Sequence, residues 1–175
     1  MYNFDEIIDR SRSDSVKWRT YPPDVLPLWV ADMDFRSPQP VLDVLRQASE
    51  LGVFGYGSAF GEQALLEAWQ ARLAAHFSWQ VALEDLLLLP GVVTGANLAC
   101  RALGAAGEQA LVPAPVYGPL LAAPRYGQLD TIAVPLQLDA DGYAHNNVEA
   151  LECAITPSTR ILVLCNPHNP VGRVY

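Results

Sequence analysis

The sequence predicts an α/β fold with a mostly parallel sheet. Three observations carry that expectation. Short continuous apolar runs at 86–89, 110–113, 131–134 and 161–165 read as strands buried on both faces. Helical stretches at about 94–103, 119–126 and 148–155 lie between them, and alternation of this kind builds parallel sheets. The chain has 175 residues, 51% of them hydrophobic, which is enough to bury a core and too apolar for a disordered chain.

The N-terminal part reads differently. Residues 4–13 suit a short helix. Tyr21, Pro22, Pro23 and Pro27 then force an extended path, because proline fixes its own φ and restricts the residue before it. Leu28, Trp29 and Val30 lead into an acidic turn at Asp32-Met33-Asp34. Ser37 and Pro38 read as an N-cap and a first-turn proline. Val41, Leu42, Leu45, Ala48 and Leu51 recur at helical spacing, with Gly52 as the stop. A loop rich in glycine and aromatics covers 53–61, and 62–77 reads as a helix with Leu65, Leu66, Trp69 and Leu73 on one face. Two regions are expected: 1–84, an α-rich segment, and 85–175, the first part of an α/β core.

Composition excludes several functions. The formal net charge is −8, with no clustered basic patch of the kind a nucleic acid needs. Cys100, Cys153 and Cys165 are odd in number and widely spaced, which suits neither a disulfide framework nor a zinc site, and points to a reducing cytoplasm. His76, His145 and His168 are equally dispersed, so no metal ligand set is expected. The first residues lack the basic-then-apolar order of a signal peptide, and no apolar run approaches membrane-spanning length. Lysine occurs once, at Lys17.

Ligands of α/β sheets bind at the carboxyl ends of strands, and three loops there carry unusual residues. After 86–89 comes Pro90-Gly91-Val92-Val93-Thr94-Gly95. A glycine turn that opens a helix exposes backbone N–H groups that suit a phosphate, although many strand-to-helix turns contain glycine and bind nothing. After 110–113, prolines stiffen the loop around Tyr117, whose ring either stacks on a planar ligand or covers the core. After 161–165 comes Asn166-Pro167-His168-Asn169-Pro170-Val171-Gly172-Arg173. Two Asn-Pro pairs and a glycine in so short a loop point to function over a plain rigid turn, since each asparagine can hold a turn or offer an amide to a ligand oxygen.

The string at 166–172 matches the Asn-Pro-X-Asn-Pro-X-Gly signature of fold-type I enzymes that use pyridoxal 5′-phosphate (PLP), the class I/II aminotransferase superfamily. LCNPHNPVGRVY, SVKW at 15–18, LPLWVADMDF at 26–35, FGYG at 54–57, PGVV at 90–93 and PVYGPL at 115–120 more closely resemble one branch, the cystathionine β-lyase-like C–S lyases of the MalY/PatB type. The resemblance covers essentially the whole chain.

It implies a fold-type I PLP transferase-like large domain, incomplete here. Residues 1–84 would contribute to the small domain and dimer arm, and 85–175 would form the first part of the PLP-binding domain. It implies that Val92 and Val93 give backbone N–H groups to the PLP phosphate, that Tyr117 stacks on the pyridine ring, and that Asn169 bonds the ring's phenolic oxygen. Tyr56 would reach the partner's phosphate across a homodimer interface, and the backbone at Ala31 would lie beside the carboxylate of an amino-acid thioether substrate. Lys17 would be an exposed or packing residue. The family's cofactor lysine, its aspartate at the pyridine nitrogen and its carboxylate-clamping arginine would lie beyond Tyr175. The chain is therefore expected to be a fragment, with no catalytic residue of its own. Three functions follow: a PLP-dependent C–S β-lyase, an aminotransferase with the same cofactor contacts, or a non-catalytic remnant. By analogy with the family's seven-stranded sheet, 110–113 and 131–134 should be neighbours, while 86–89 should lack its pairing strand and 161–165 both of its flanking strands.

Overall fold

The computed structural model describes residues 2–57 and 59–175. Met1 and Ser58, the latter within the loop expected at 53–61, lie outside the described residues. The chain divides into two compact units, Met1–Gly61 and Glu62–Tyr175. This division falls ahead of the 84/85 boundary expected from composition.

The first unit contains α1 (Val16–Arg19) and α2 (Gln39–Leu51). The helix expected at 4–13 is not formed. Short polar side chains capture the backbone there instead: Asn3 Oδ1 accepts from the Asp5 N–H at 3.1 Å, Asp9 Oδ1 accepts from the Ser11 N–H at 2.9 Å, and Ser13 Oγ donates to the Arg10 carbonyl at 2.6 Å. Such local bonds compete with the helical ladder. Pro38, not Ser37, caps α2, its carbonyl accepting from the Val41 N–H at 3.0 Å. Gly52 ends α2 in a left-handed conformation, as its spacing predicts.

The longer α3 (Ala59–Phe77) begins ahead of the expected Glu62. After a 3₁₀ turn at Leu83–Asp85, residues 86–89 run without a ladder partner, so the strand expected there is absent. Its apolar composition matches a buried strand, but no strand among the described residues lies beside it to pair. Then follow α4 (Val92–Leu103), β1 (Gln109–Ala114), α5 (Gly118–Tyr126) and β2 (Asp130–Pro135). A short antiparallel hairpin pairs β3 (Gln137–Leu138) with β4 (Ala144–His145). The second unit closes with α6 (Val148–Ala154), capped by Asn147 Oδ1 on the Ala150 N–H at 3.0 Å, and β5 (Thr159–Leu162).

The main sheet is parallel, in the order β2-β1-β5. β1 and β2 are neighbours as expected. β5 corrects the expectation that its segment would lose both flanks: it pairs with β1 through Ala110↔Ile161 and Leu111↔Leu162, and the Val163 N–H extends the ladder to the Leu111 carbonyl at 2.9 Å. One crossover carries the chain from β1 to β2, and the next carries it back past β1 to the opposite side. Chain order and spatial order therefore differ, and the outer edge of β5 stays open among the described residues.

β1 is the centre of the core. Ala110, Leu111 and Val112 are buried, and Ala110 packs with Cys100 of α4, Ala123 of α5 and Leu129. Gly127 is required by this packing, because a Cβ there would sit 2.6 Å from the Cys100 carbonyl oxygen.

Candidate active site

The reversal of strand order at β1 sets two strand-end loops side by side, and crevices form at such a point. The backbone closes the arrangement: the Tyr117 N–H donates to the Asn169 carbonyl at 2.8 Å. The loop after β1 is thereby pinned to the loop after β5. Both lie on one cavity of about 1010 Å³, whose wall also includes Gly91, Val92 and the leucines at 87–89.

The N-terminus of α4 supplies the cavity's donors. Gly91 caps the helix at φ 149°, ψ 158° and offers no side chain to it. That backbone region is essentially restricted to glycine, and space is not the reason, since nothing lies within 4 Å of a Cβ built at Gly91. The first-turn amides of Val92, Val93 and Thr94 have no acceptor within the helix. Free amides and the helix dipole together favour an anion. Val92 lines the cavity and is exposed; Val93 sits in the same turn, half-buried, outside its wall.

Tyr117 caps α5, is 43% exposed and lines the cavity, where its ring is available to a planar ligand. The Asn166–Arg173 loop closes on itself. The Gly172 N–H donates to the His168 carbonyl at 2.7 Å, and the His168 N–H donates to the Arg173 carbonyl at 2.7 Å. Asn166 spends Oδ1 on the Tyr175 N–H at 3.0 Å, whereas Asn169 is exposed at the cavity. The donor set, an anion cradle, an aromatic face and an amide around one cavity, fits a planar ligand that carries a phosphate.

Two residues, one in this loop and one just before it, escaped the sequence reading. Cys165 Sγ accepts from the Asn169 N–H at 3.4 Å and donates to the Pro167 carbonyl at 3.5 Å, bracing the asparagine from behind. His168 is buried, edge-on to Tyr175 with ring centroids 5.9 Å apart, and neither ring nitrogen has a partner among the described residues. Burial holds its pKa below the ordinary imidazole value. A histidine between two prolines carries no periodic signal of burial.

Ala31 and Tyr56 belong to the first unit. Ala31 sits at the centre of a three-residue turn closed by the Asp32 N–H on the Val30 carbonyl at 2.9 Å. Tyr56 is fully exposed, beyond α2. Lys17 is a packing residue, not a free one: its side chain is only 12% exposed and its ammonium lies 2.7 Å from Asp34 Oδ2. Hydrogen bonds from Lys17, Trp18 and Arg10 hold the Asp34 pKa down to about 2.

Fold and site together define an α/β protein whose sheet-end crevice is built for an anionic, planar ligand. The chain belongs to the aminotransferase class I and II family, whose sequence model matches residues 23–175. It is similar to cystathionine beta-lyase PatB of Bacillus subtilis (strain 168), at 36% identity over 98% of this chain and 45% of the relative. The PLP-bound C–S lyase of Staphylococcus hominis superposes with a TM-score of 0.86 at 30% identity, over 99% of this chain and 45% of that enzyme. OvoB superposes with a TM-score of 0.88 at 40% identity, with 99% and 45% coverage. The chain thus spans less than half the length of these relatives. No helix among the described residues is long and apolar enough to cross a membrane.

Proposed function

We propose that this chain is the first part of a PLP-dependent carbon–sulfur β-lyase that acts on amino-acid thioethers in the cytoplasm. The observation that carries this reading is the 2.8 Å bond from the Tyr117 N–H to the Asn169 carbonyl, which gathers an aromatic ring and an amide beside the free amides of α4. The similarity to enzymes named cystathionine beta-lyase and C–S lyase supports it.

When bound, PLP withdraws electron density from the substrate Cα, so that the Cα proton and then the β-sulfur, as a thiolate, can leave. This chain's residues bind and orient. The Val92 and Val93 amides hold the phosphate, the Tyr117 ring covers one face of the pyridine and keeps water from it, and the Asn169 side chain donates to the phenolic oxygen. The Ala31 backbone receives the substrate carboxylate. In a homodimer, Tyr56 serves the phosphate site of the partner subunit. Residues 1–84 belong to the small domain and dimer arm, and 85–175 to the large domain. The lysine that moves the Cα proton is supplied by sequence outside these 175 residues, because Lys17 is committed to Asp34.

An aminotransferase would use the same residues, and the family match favours it as the second reading. The test is to give the PLP-loaded full-length protein, with the sequence that carries the lysine, L-cystathionine with and without an added 2-oxo acid. Pyruvate, ammonia and a free thiol without the oxo acid support the lyase. Amino transfer that needs the oxo acid supports the aminotransferase. Neither product overturns both.

A further inference from the structure

In the first unit, three hydrogen-bonding side chains from two separate stretches converge on one short segment. Arg10 donates Nη1 to Asp34 Oδ1 at 2.7 Å and to the Met33 carbonyl at 3.2 Å, and Nη2 to Asp32 Oδ2 at 3.0 Å. Lys17 Nζ donates to Asp34 Oδ2 and to the Asp32 carbonyl, both at 2.7 Å. Trp18 Nε1 donates to Asp34 Oδ1 at 2.9 Å, and Trp29 Nε1 ties back to the Lys17 carbonyl at 3.3 Å. Residues 32, 33 and 34 are each held, by side chain, backbone or both.

The segment so held continues directly into the Val30–Asp32 turn. A three-residue turn is a tight and locally weak device, and here one of its ends, Asp32, is anchored by two cations. Charge-assisted bonds of this length are the stronger kind. The Ala31 N–H and carbonyl take no part in the network. They remain for a ligand, and the network decides where they stand.

We propose that Arg10, Lys17 and Trp18 are positioning residues that act through Asp32 and Asp34 to fix the Ala31 turn for the substrate's α-carboxylate. The inference rests on the reading that Ala31 meets that carboxylate, and it extends to any α-amino acid substrate, thioether or amino donor. It assigns a role to the chain's single lysine that is electrostatic and not covalent.

Two measurements test it. Amine acylation mapped by mass spectrometry reads Lys17 without cofactor or turnover. Lys17 should acylate more slowly in the folded chain than in urea, and Asp34→Asn should remove the difference while the circular dichroism is kept. Equal rates folded and in urea overturn the clamp. In the PLP-loaded enzyme, Lys17→Met and Arg10→Met should raise KM for the amino-acid substrate by about tenfold at unchanged kcat and PLP content, and Lys17→Arg should recover most of it. An active wild type whose variants keep KM, or lose kcat and folded protein together, overturns the positioning role and leaves the lyase reading standing. A wild type that turns over neither thioether nor amino donor defeats the function itself, and the positioning role with it.

Discussion

The two units are held together by different physics. In Met1–Gly61, α2 buries no residue, and order comes from a polar network of Arg10, Lys17, Trp18, Asp32 and Asp34. In Glu62–Tyr175, order comes from apolar burial around β1, where Ala110 and Val112 are fully buried. The first kind of order rests on charge, the second chiefly on volume.

The contrast makes the largest expected effect a core truncation. Leu129 is 3% exposed against Cys100, Ala110 and Ala123, and Leu129→Ala should cost about 2–5 kcal/mol in a denaturant melt. A loss below about 1 kcal/mol, within the ordinary range for a single substitution, would show that burial does not dominate the second unit. Next comes Asn169→Ala in the PLP-loaded protein. It should weaken cofactor binding by about 1.5–3 kcal/mol, the range for a bond to a charged group, with the melt unchanged. Tyr117→Ala should cost about 0.5–1.5 kcal/mol of cofactor affinity beyond its buried area. Equal affinity in both variants would remove these residues from the site. In the first unit, Leu45→Ala on α2, where the residue is 62% exposed, should change stability by no more than about 0.5 kcal/mol.

Acid should separate the units in pH. Burial holds His168 below its ordinary value of 6.5. Below that pH the unfolded chain binds the proton more readily than the folded one, so stability falls as pH falls, and His168→Phe should flatten the slope. Asp34 works the same way lower down. Its pKa falls from 3.8 to about 2 on folding, so its contribution is complete above about pH 4 and is lost toward pH 2. Trp18 emission, which reports on the indole bonded to Asp34, should change only in that lower window. A Trp18 change that coincides with the His168-dependent loss of stability would erase the distinction between the units.

Much of the fold was legible where local signals and tertiary context agree. β1 and β2 lie where continuous apolar runs placed them, and Gly52 and Gly91 sit at helix ends. Residues 86–89 are as apolar as β1, yet make no ladder, because composition reports a tendency to be buried and says nothing of a partner. The 4–13 segment has helical spacing, but its Asn, Asp and Ser side chains bond the backbone first. The pairing of β5 with β1 depends on which way a crossover turns, which no residue encodes alone. The candidate site was legible as motifs. Its closure was not, since the Tyr117–Asn169 bond joins two backbones and leaves no side-chain trace. The Asp34 clamp left a trace only as two strings, SVKW and VADMDF, with nothing in either to say that they meet.

The run at 86–89 has a consequence in time. None of the described residues up to Tyr175 offers it a ladder partner. At a synthesis rate of about 5–20 residues per second, the ribosome needs about 4–17 s to travel from Leu89 to Tyr175. For at least that long, four consecutive leucines stand in the nascent chain with their backbone unpaired. A segment in that condition is a natural client for chaperones that bind extended apolar peptide. It is also the place where a stalled or damaged nascent chain would begin to aggregate.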